Sequence, residues 1–94
     1  MTTTDLLAHR KGDVVAIAVA DLEPGSSSVR YLDESPGGTV EVRERVPLGH
    51  KVALTDISSG ADVTEYGVRI GLAAKAISTG DHVHVHNLKG VRWA

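Results

Sequence analysis

The stretch that decides the fold is residues 14–19, VVAIAV, a continuous apolar run bounded by Asp13 and Asp21. Such a run is typical of a strand buried on both faces, although a short buried helix has the same composition. Turn signals follow at residues 23–28 (EPGSSS) and 34–38 (ESPGG). Residues 39–46 then alternate, with valines on one side and Glu41, Arg43 and Arg45 on the other. This alternation predicts a half-exposed strand with a charged outer face.

Further short strands are predicted at residues 29–32, 51–54, 62–66, 68–72 and 82–86. No window holds a helical period over a dozen residues. The fold class is therefore mainly β, built from short strands and glycine turns. Residues 1–12 are polar and are predicted to be a flexible N-terminal lead, and residues 13–94 to be a single small domain.

A short pattern recurs along the chain. Residues 56–63, DISSGADV, match residues 76–83, AISTGDHV, and residues 21–25, DLEPG, begin in the same way. Each unit is an apolar anchor, a tight turn at a glycine suited to positive φ, and the start of a strand. Three such units suggest a sheet that folds back on itself, but unrelated turns of any β protein reuse the same chemistry.

Composition excludes several classes of protein. The 94 residues are 41% hydrophobic but 3% aromatic, with no Phe and no Cys. The core is therefore built from Val, Ile, Leu and Ala, and disulfides, thiolate metal sites and cysteine nucleophiles are excluded. A net charge of -2 with mixed signs argues against nucleic-acid binding. Without a signal-peptide pattern or a run of membrane-spanning length, a cytoplasmic location is expected.

The sharpest chemical feature is residues 82–87, HVHVHN. On a strand, side chains alternate, so His82, His84 and His86 would share one face while the intervening valines face the core. Imidazoles bind divalent metals and also act as general acids and bases near neutral pH. Three ligands from one straight strand would be strained, so two of them with ligands from elsewhere is the better metal site. A solvated face that merely uses histidine is the alternative.

Two weaker features accompany it. Residues 49–51, GHK, open a strand and place His50 and Lys51 where a base and a cation would hold an anionic substrate. Tyr66 precedes Gly67, which allows a ligand close approach. An exposed turn and a core aromatic residue are the structural alternatives to these roles. No phosphate-binding glycine loop and no Ser/His/Asp set is present.

Taken in order, residues 46–57 (VPLGHKVALTDI), Gly60, 66–67 (YG), 70–71 (IG), Gly80 and 82–87 (HVHVHN) resemble the N-terminal domain of altronate and galactarate dehydratases. The same string is similar to the small subunit of sulfolactate sulfo-lyase. The resemblance covers roughly half of the chain. It implies a SAF-type, β-clip-like fold within a family of divalent-metal-dependent lyases, with iron and manganese as candidate metals. In that family most of the chemistry belongs to a much larger domain.

The resemblance therefore implies the small subunit, or N-terminal module, of a dehydratase acting on sugar acids, inactive without a separate large catalytic subunit. The candidate catalytic residues are His50, Lys51, His84 and His86, and the candidate metal ligands are His82, His84 and His86. Lys51, Tyr66 and Asn87 are candidates for substrate binding. The partners would be the large subunit and a sugar acid, without nucleic acid or membrane, and self-association through strand edges is a further expectation. The alternative is a non-catalytic carbohydrate-binding or interaction module.

Overall fold

The computed structural model describes residues 4–65, 68–84 and 86–90. Nine short strands account for its regular structure: β1 Leu6–Ala8, β2 Val15–Ala18, β3 Gly25–Tyr31, β4 Gly38–Val42, β5 Lys51–Ala53, β6 Asp62–Glu65, β7 Val68–Ala73, β8 His82–Val83 and β9 Leu88–Gly90. The mainly β prediction is confirmed. Among the described residues there is no helix long and apolar enough to cross a membrane.

The strands form two sheets. The larger has the order β4-β3-β1-β2-β5-β8, and the smaller has the order β6-β7-β9. Neighbouring strands are antiparallel except β1 and β3, which run parallel. In this order β8 is one edge strand of the larger sheet, and it ends at Val83.

The predicted flexible lead is wrong for β1. Leu6 is 0% exposed and lies between Ala18 of β2 and Val29 of β3, inside the larger sheet. Asp5 ties the strand down, because its carboxylate accepts a hydrogen bond of 3.0 Å from the Ser28 backbone N–H. An apolar segment of three residues is too short to show a period, and its neighbours provide the sheet. The domain therefore begins before residue 13.

The charged alternation at residues 39–46 behaves as predicted. Val40, Val42 and Val46 are buried, while Glu41 and its charged neighbours are exposed. The strand itself ends earlier, at Val42, because residues 43–46 leave β3 and form the approach to a tight turn.

The recurring pattern occurs four times in the structure. Each unit has Ala or Val at or near the end of a strand, a branched apolar residue four positions later, and a positive-φ glycine seven positions later. The units are Ala18/Leu22/Gly25, Val42/Val46/Gly49, Ala53/Ile57/Gly60 and Ala73/Ile77/Gly80. The unit Val42/Val46/Gly49 has the same spacing as the other three but begins with valine, where they begin with alanine. The pattern is therefore defined by backbone geometry.

Hydrogen bonds show that the repeat is structural. The units associate in two pairs, because Leu22 bridges Val46 and Ile57 bridges Ile77. At three turns the glycine N–H donates to the strand-end alanine of the paired unit, each at 2.8 Å: Gly49 to Ala18, Gly60 to Ala73, and Gly80 to Ala53. The same contacts at separate places exclude a coincidence of turn composition.

The repeat also sets the sheet register. The β3–β4 hairpin lies between β2 and β5 in the chain, and the β6–β7 hairpin lies between β5 and β8. Strand β5 pairs antiparallel with β2 on one side and with β8 on the other, in corresponding registers. The chain thus contains two successive copies of a strand–hairpin–strand unit that share β5, and the second copy delivers His82 beside β5.

The apolar core has two clusters. The first includes Leu6, Val42 and Val52, and the second includes Val15, Val63 and Val83. Strands β2 and β5 contribute to both, since Val15 and Ala16 belong to different clusters, as do Val52 and Ala53. This division follows from the alternation of side chains across a sheet buried on both faces.

Candidate functional site

Three imidazoles meet where β5 and β8 pair. Lys51 lies opposite Val83, and Val52 lies opposite His82. Continuing this register by one position places His50, just before β5, opposite His84, just after β8. Directly opposed side chains on one face of an antiparallel pair are close neighbours. His50, His82 and His84 therefore form one cluster, called here the imidazole triad.

The rings of the imidazole triad are packed face to face. The centroids of His50 and His84 are 3.8 Å apart with an interplanar angle of 11°, and those of His50 and His82 are 5.0 Å apart at 24°. Nδ1 of His50 and Nε2 of His82 are 2.8 Å apart, which is hydrogen-bonding distance. Which nitrogen donates a hydrogen bond and which accepts it depends on the tautomers of the two rings.

Turn geometry fixes His50. Its backbone N–H donates to Pro47 C=O at 3.0 Å, and its C=O accepts from Ala18 N–H at 2.8 Å. These bonds belong to the repeated turn, in which Gly49 has a φ of 88°. The residue after the turn glycine differs between units: Ser26, His50, Ala61 and Asp81. The turn does not itself require an imidazole at this position.

The predicted strand at residues 82–86 is wrong beyond Val83. Strand β8 covers His82–Val83, and a turn follows in which Asn87 N–H donates to His84 C=O at 3.1 Å. Strand β8 is an edge strand of two residues, and the turn begins at its end; Val85 lies outside the described residues. His86 consequently lies on the turn, exposed, with its ring centroid 5.1 Å from that of His82 and tilted by 47°.

Electrostatics keep two members of the triad neutral. Burial, followed by the charges that His50 and His86 would carry, lowers the pKa of His82, while Glu44 opposes this shift. Burial also lowers the pKa of His84, with further lowering by His50, Lys51 and His86. Neutral imidazole is the form that binds metals or takes up a proton. Both side chains are thus ready for either role near neutral pH.

The donor atoms of the triad fit a divalent metal. One nitrogen from each ring lies within 4.8 Å of the other two, and within the described part of the chain no other group of this kind is found. Zinc binds imidazole nitrogen at about 2.0–2.1 Å, so nitrogens on one tetrahedral ion are about 3.4 Å apart. The stacked rings would have to rotate for their in-plane lone pairs to converge on one ion. The group offers three ligands and no carboxylate, so at least one position on a tetrahedral metal would stay open for another ligand.

The other predicted site residues lie in different surroundings. Lys51 is half-buried, and strand alternation turns it to the face opposite His50, although its charge still acts on His84. Asn87 is 3% exposed and its side-chain amide is bonded within its own turn. Tyr66 lies outside the described residues. Sequence spacing alone did not place His50 with His82 and His84, because only the register of β5 on β8 brings them together.

Two cavities among the described residues lie away from the triad. One of about 430 Å³ is lined by His9, Arg10, Leu32 and Asp33. The other, of about 240 Å³, is lined by residues of β3 and β4 together with Leu54 and Thr79. The imidazole triad is part of neither, and it stands at a sheet edge.

Comparison with known proteins gives consistent results. Residues 4–91 match the family model described as altronate/galactarate dehydratase SAF domain. The chain is 35% identical over 91 residues to (2R)-sulfolactate sulfo-lyase subunit alpha of Chromohalobacter salexigens, covering 95% of this chain and 97% of that protein.

Two longer relatives are dehydratases. The chain is 47% identical over 77 residues to altronate dehydratase of Escherichia coli, and 38% identical over 79 residues to altronate dehydratase of Bacillus subtilis. These matches cover 82% and 84% of this chain but 14% and 15% of those proteins. The same kind of domain therefore matches both a nearly whole short subunit and a small part of a long enzyme.

Proposed function

This chain belongs to the altronate/galactarate dehydratase SAF domain family, and on that premise we propose that it is the small subunit, or N-terminal module, of a metal-dependent lyase acting on sugar acids such as altronate or galactarate. Its role is to supply residues beside the active site of a separate large subunit. One observation supports the proposal: at a sheet edge the imidazole triad brings together three ring nitrogens of the type that holds a metal ion, with no carboxylate among them.

The names and coverages of two relatives support the subunit form. The relative that this chain matches over 97% of its length is named a subunit, whereas the dehydratases contain a comparable segment as a small part of a long chain. A chain of this size has a thin core and little room for an enclosed site. We therefore propose that the large chain covers the imidazole triad and contributes the missing ligands, and that the assembly acts in the cytoplasm.

The proposed reaction is elimination of water from a hydroxy acid. A base removes the proton α to the carboxylate, the bond between the neighbouring carbon and its hydroxyl breaks, and the hydroxyl leaves as water after gaining a proton. A divalent metal, with iron and manganese as candidates, would polarise the leaving hydroxyl or the carboxylate.

The residues of this chain would share the remaining tasks. His50 and His82 lie within hydrogen-bonding distance, 2.8 Å from Nδ1 to Nε2, and would hold or pass a proton. Exposed His86 is placed to carry a proton to solvent. Lys51 is the candidate cation for the substrate carboxylate, and Tyr66 remains a candidate substrate contact.

The experiment is recovery of the tagged chain from its own cell extract, with mass spectrometry, metal analysis and a dehydration assay on the recovered complex. We expect a large dehydratase-like chain with bound iron or manganese, and turnover that needs both chains. Turnover by the purified chain alone would contradict the subunit proposal. Recovery of the chain alone and metal-free would favour the carbohydrate-binding alternative, to be tested with small sugar ligands.

A matched pair of variants tests the triad within the recovered complex. His50→Gln removes one member and should lower kcat by about 10²–10⁴-fold, the usual contribution of a positioned acid or base. His9→Gln, a histidine outside the imidazole triad, serves as the control and should keep kcat within about twofold. Equal activity of both variants would remove the triad from the mechanism.

A further inference from the structure

We infer that Asn87 is a positioning residue that holds the imidazole triad in its metal-binding arrangement and does not contact substrate. The inference rests on the proposed function insofar as the triad is the metal-binding group. It assigns the asparagine of the HVHVHN segment a role that follows from its contacts. The family comparison does not supply this role, which comes from hydrogen bonds at the edge of the larger sheet.

The Asn87 side chain completes the outer edge of β8. Its Oδ1 accepts a hydrogen bond from His84 N–H at 3.0 Å, and its Nδ2 donates to His82 C=O at 2.8 Å. In an antiparallel strand, backbone groups of residues two apart point to the same side. The amide therefore occupies the position that a neighbouring strand would take and bonds the groups that face away from β5.

Bonding both backbone groups fixes the directions of both side chains. The two hydrogen bonds from the Asn87 amide, called here the Asn87 clamp, bind His82 and His84, whose ring centroids are 5.8 Å apart. The His50 ring, held by its own turn, then stacks at 5.0 Å from His82 and 3.8 Å from His84. Loss of either hydrogen bond from Asn87 would free the backbone of His82 or of His84. The ring of that residue would then move away from the other two rings of the triad.

Asn87 is itself anchored by Ala74, the residue that follows β7. Its backbone C=O accepts from Ala74 N–H at 2.9 Å, and Leu88 N–H donates to His84 C=O at 2.9 Å. With 3% of the residue exposed, its amide is not open to a substrate. The smaller sheet thereby supports the triad through Asn87, as outer groups commonly orient metal ligands.

The test compares Asn87→Leu, which keeps the approximate shape but neither hydrogen bond, with Val63→Ala, a buried control on β6 outside this clamp. Zinc affinity of the full chain is measured by competition with a fluorescent chelator at a temperature where both variants are folded. We expect Asn87→Leu to weaken binding about 10–100-fold, as loss of such support does elsewhere, and Val63→Ala to change it less than about twofold. Wild-type affinity in Asn87→Leu, or an equal loss in Val63→Ala, would overturn the inference.

A second readout needs no metal. Long-range ¹⁵N–¹H NMR of the ring nitrogens reports the contact between His50 Nδ1 and His82 Nε2 in the metal-free chain. We expect Asn87→Leu to lose this signature and Val63→Ala to keep it. Asn87→Asp retains the acceptor for His84 N–H and serves if Asn87→Leu does not fold; it should lose the fixed His82 ring while His84 N–H stays protected from exchange.

The two readouts separate two failures. If the wild-type chain binds no zinc, the metal-binding part of the proposed function fails, while the ring signature still decides the role of Asn87. If zinc binds but Asn87→Leu and Asn87→Asp both keep the wild-type ring signature, the positioning role is wrong and the triad remains a metal site.

Discussion

His50 and His84 are the closest pair of rings in the triad, stacked with their centroids 3.8 Å apart. Two positive charges at that distance repel strongly in a partly buried site. This repulsion adds to the burial that lowers the pKa of His84 and of His82. At the residue scale, the lowered pKa values favour the neutral form of two half-buried bases at a pH where isolated histidine begins to ionise.

The lowered pKa values predict acid sensitivity. An unfolded histidine titrates near 6.5, and in the folded chain His82 and His84 protonate below that. The unfolded state therefore binds more protons as pH falls below about 6.5, so folding stability is complete above that pH and declines below it. Urea midpoints measured between about pH 7.5 and 5 should show this decline.

The control for this prediction is a pair of variants. His82→Gln with His84→Gln should flatten the pH dependence, because the titrating groups are gone. Val63→Ala should lower stability at every pH and leave the slope unchanged. An acid decline that persists in the double glutamine variant would assign the effect to other groups.

The repeated turn is the element that organises the fold. Its glycines serve equivalent positions, but their surroundings differ. A Cβ at Gly60 would meet no atom within 4 Å, whereas a Cβ at Gly80 would overlap the Glu41 carbonyl. The turn that contains Gly80 packs against β4. Arg43, the residue that follows β4, donates a hydrogen bond from its backbone N–H to Gly80 C=O at 3.1 Å.

This difference predicts unequal effects of one substitution. Gly60→Ala and Gly80→Ala both force alanine to adopt a φ above 80°, which costs about 1–2 kcal/mol. Gly80→Ala adds the clash with Glu41 and should lose a further 1–3 kcal/mol, roughly the cost of overpacking. Chemical unfolding of both variants measures the gap. Equal losses would show that β4 moves away from the 77–81 turn without cost.

At the scale of the whole molecule, the two clusters are joined by shared strands. Neighbouring residues of β2 and of β5 point into different clusters, so neither cluster can lose its strands without exposing the other. The chain should therefore unfold in one cooperative step.

Truncation in each cluster tests this cooperativity. Val42→Ala in the first cluster and Val63→Ala in the second each remove buried methyl groups and should cost about 1–3 kcal/mol. Backbone amides of β3 and of β7, followed separately by NMR through a urea titration, should keep a common midpoint in each variant. Separate midpoints would show that the two clusters unfold independently.

Much of the fold was predictable from local pattern. The strand within the apolar run at residues 14–19, the alternation of Val40 and Val42 with charged residues, and the glycine turns all depend on neighbours within a few positions, which the sequence displays directly. The run is not buried throughout, because the strand covers Val15–Ala18 and Val19 is 42% exposed. The mainly β class follows from them. The apolar triplet of β1 was missed because its burial comes from β2 and β3, which are distant in the chain.

The candidate site divides in the same way. Sequence by itself determined the residue types, three histidines and an asparagine in HVHVHN and a fourth histidine after Gly49, and hence an imidazole chemistry. The tertiary structure alone decided which of them meet. The register of β5 on β8 brings His50 to His82 and His84. The end of β8 places His86 on an exposed turn beside His82 and directs the Asn87 side chain inward. Register and strand ends are set by pairing between distant segments, and no local pattern encodes them.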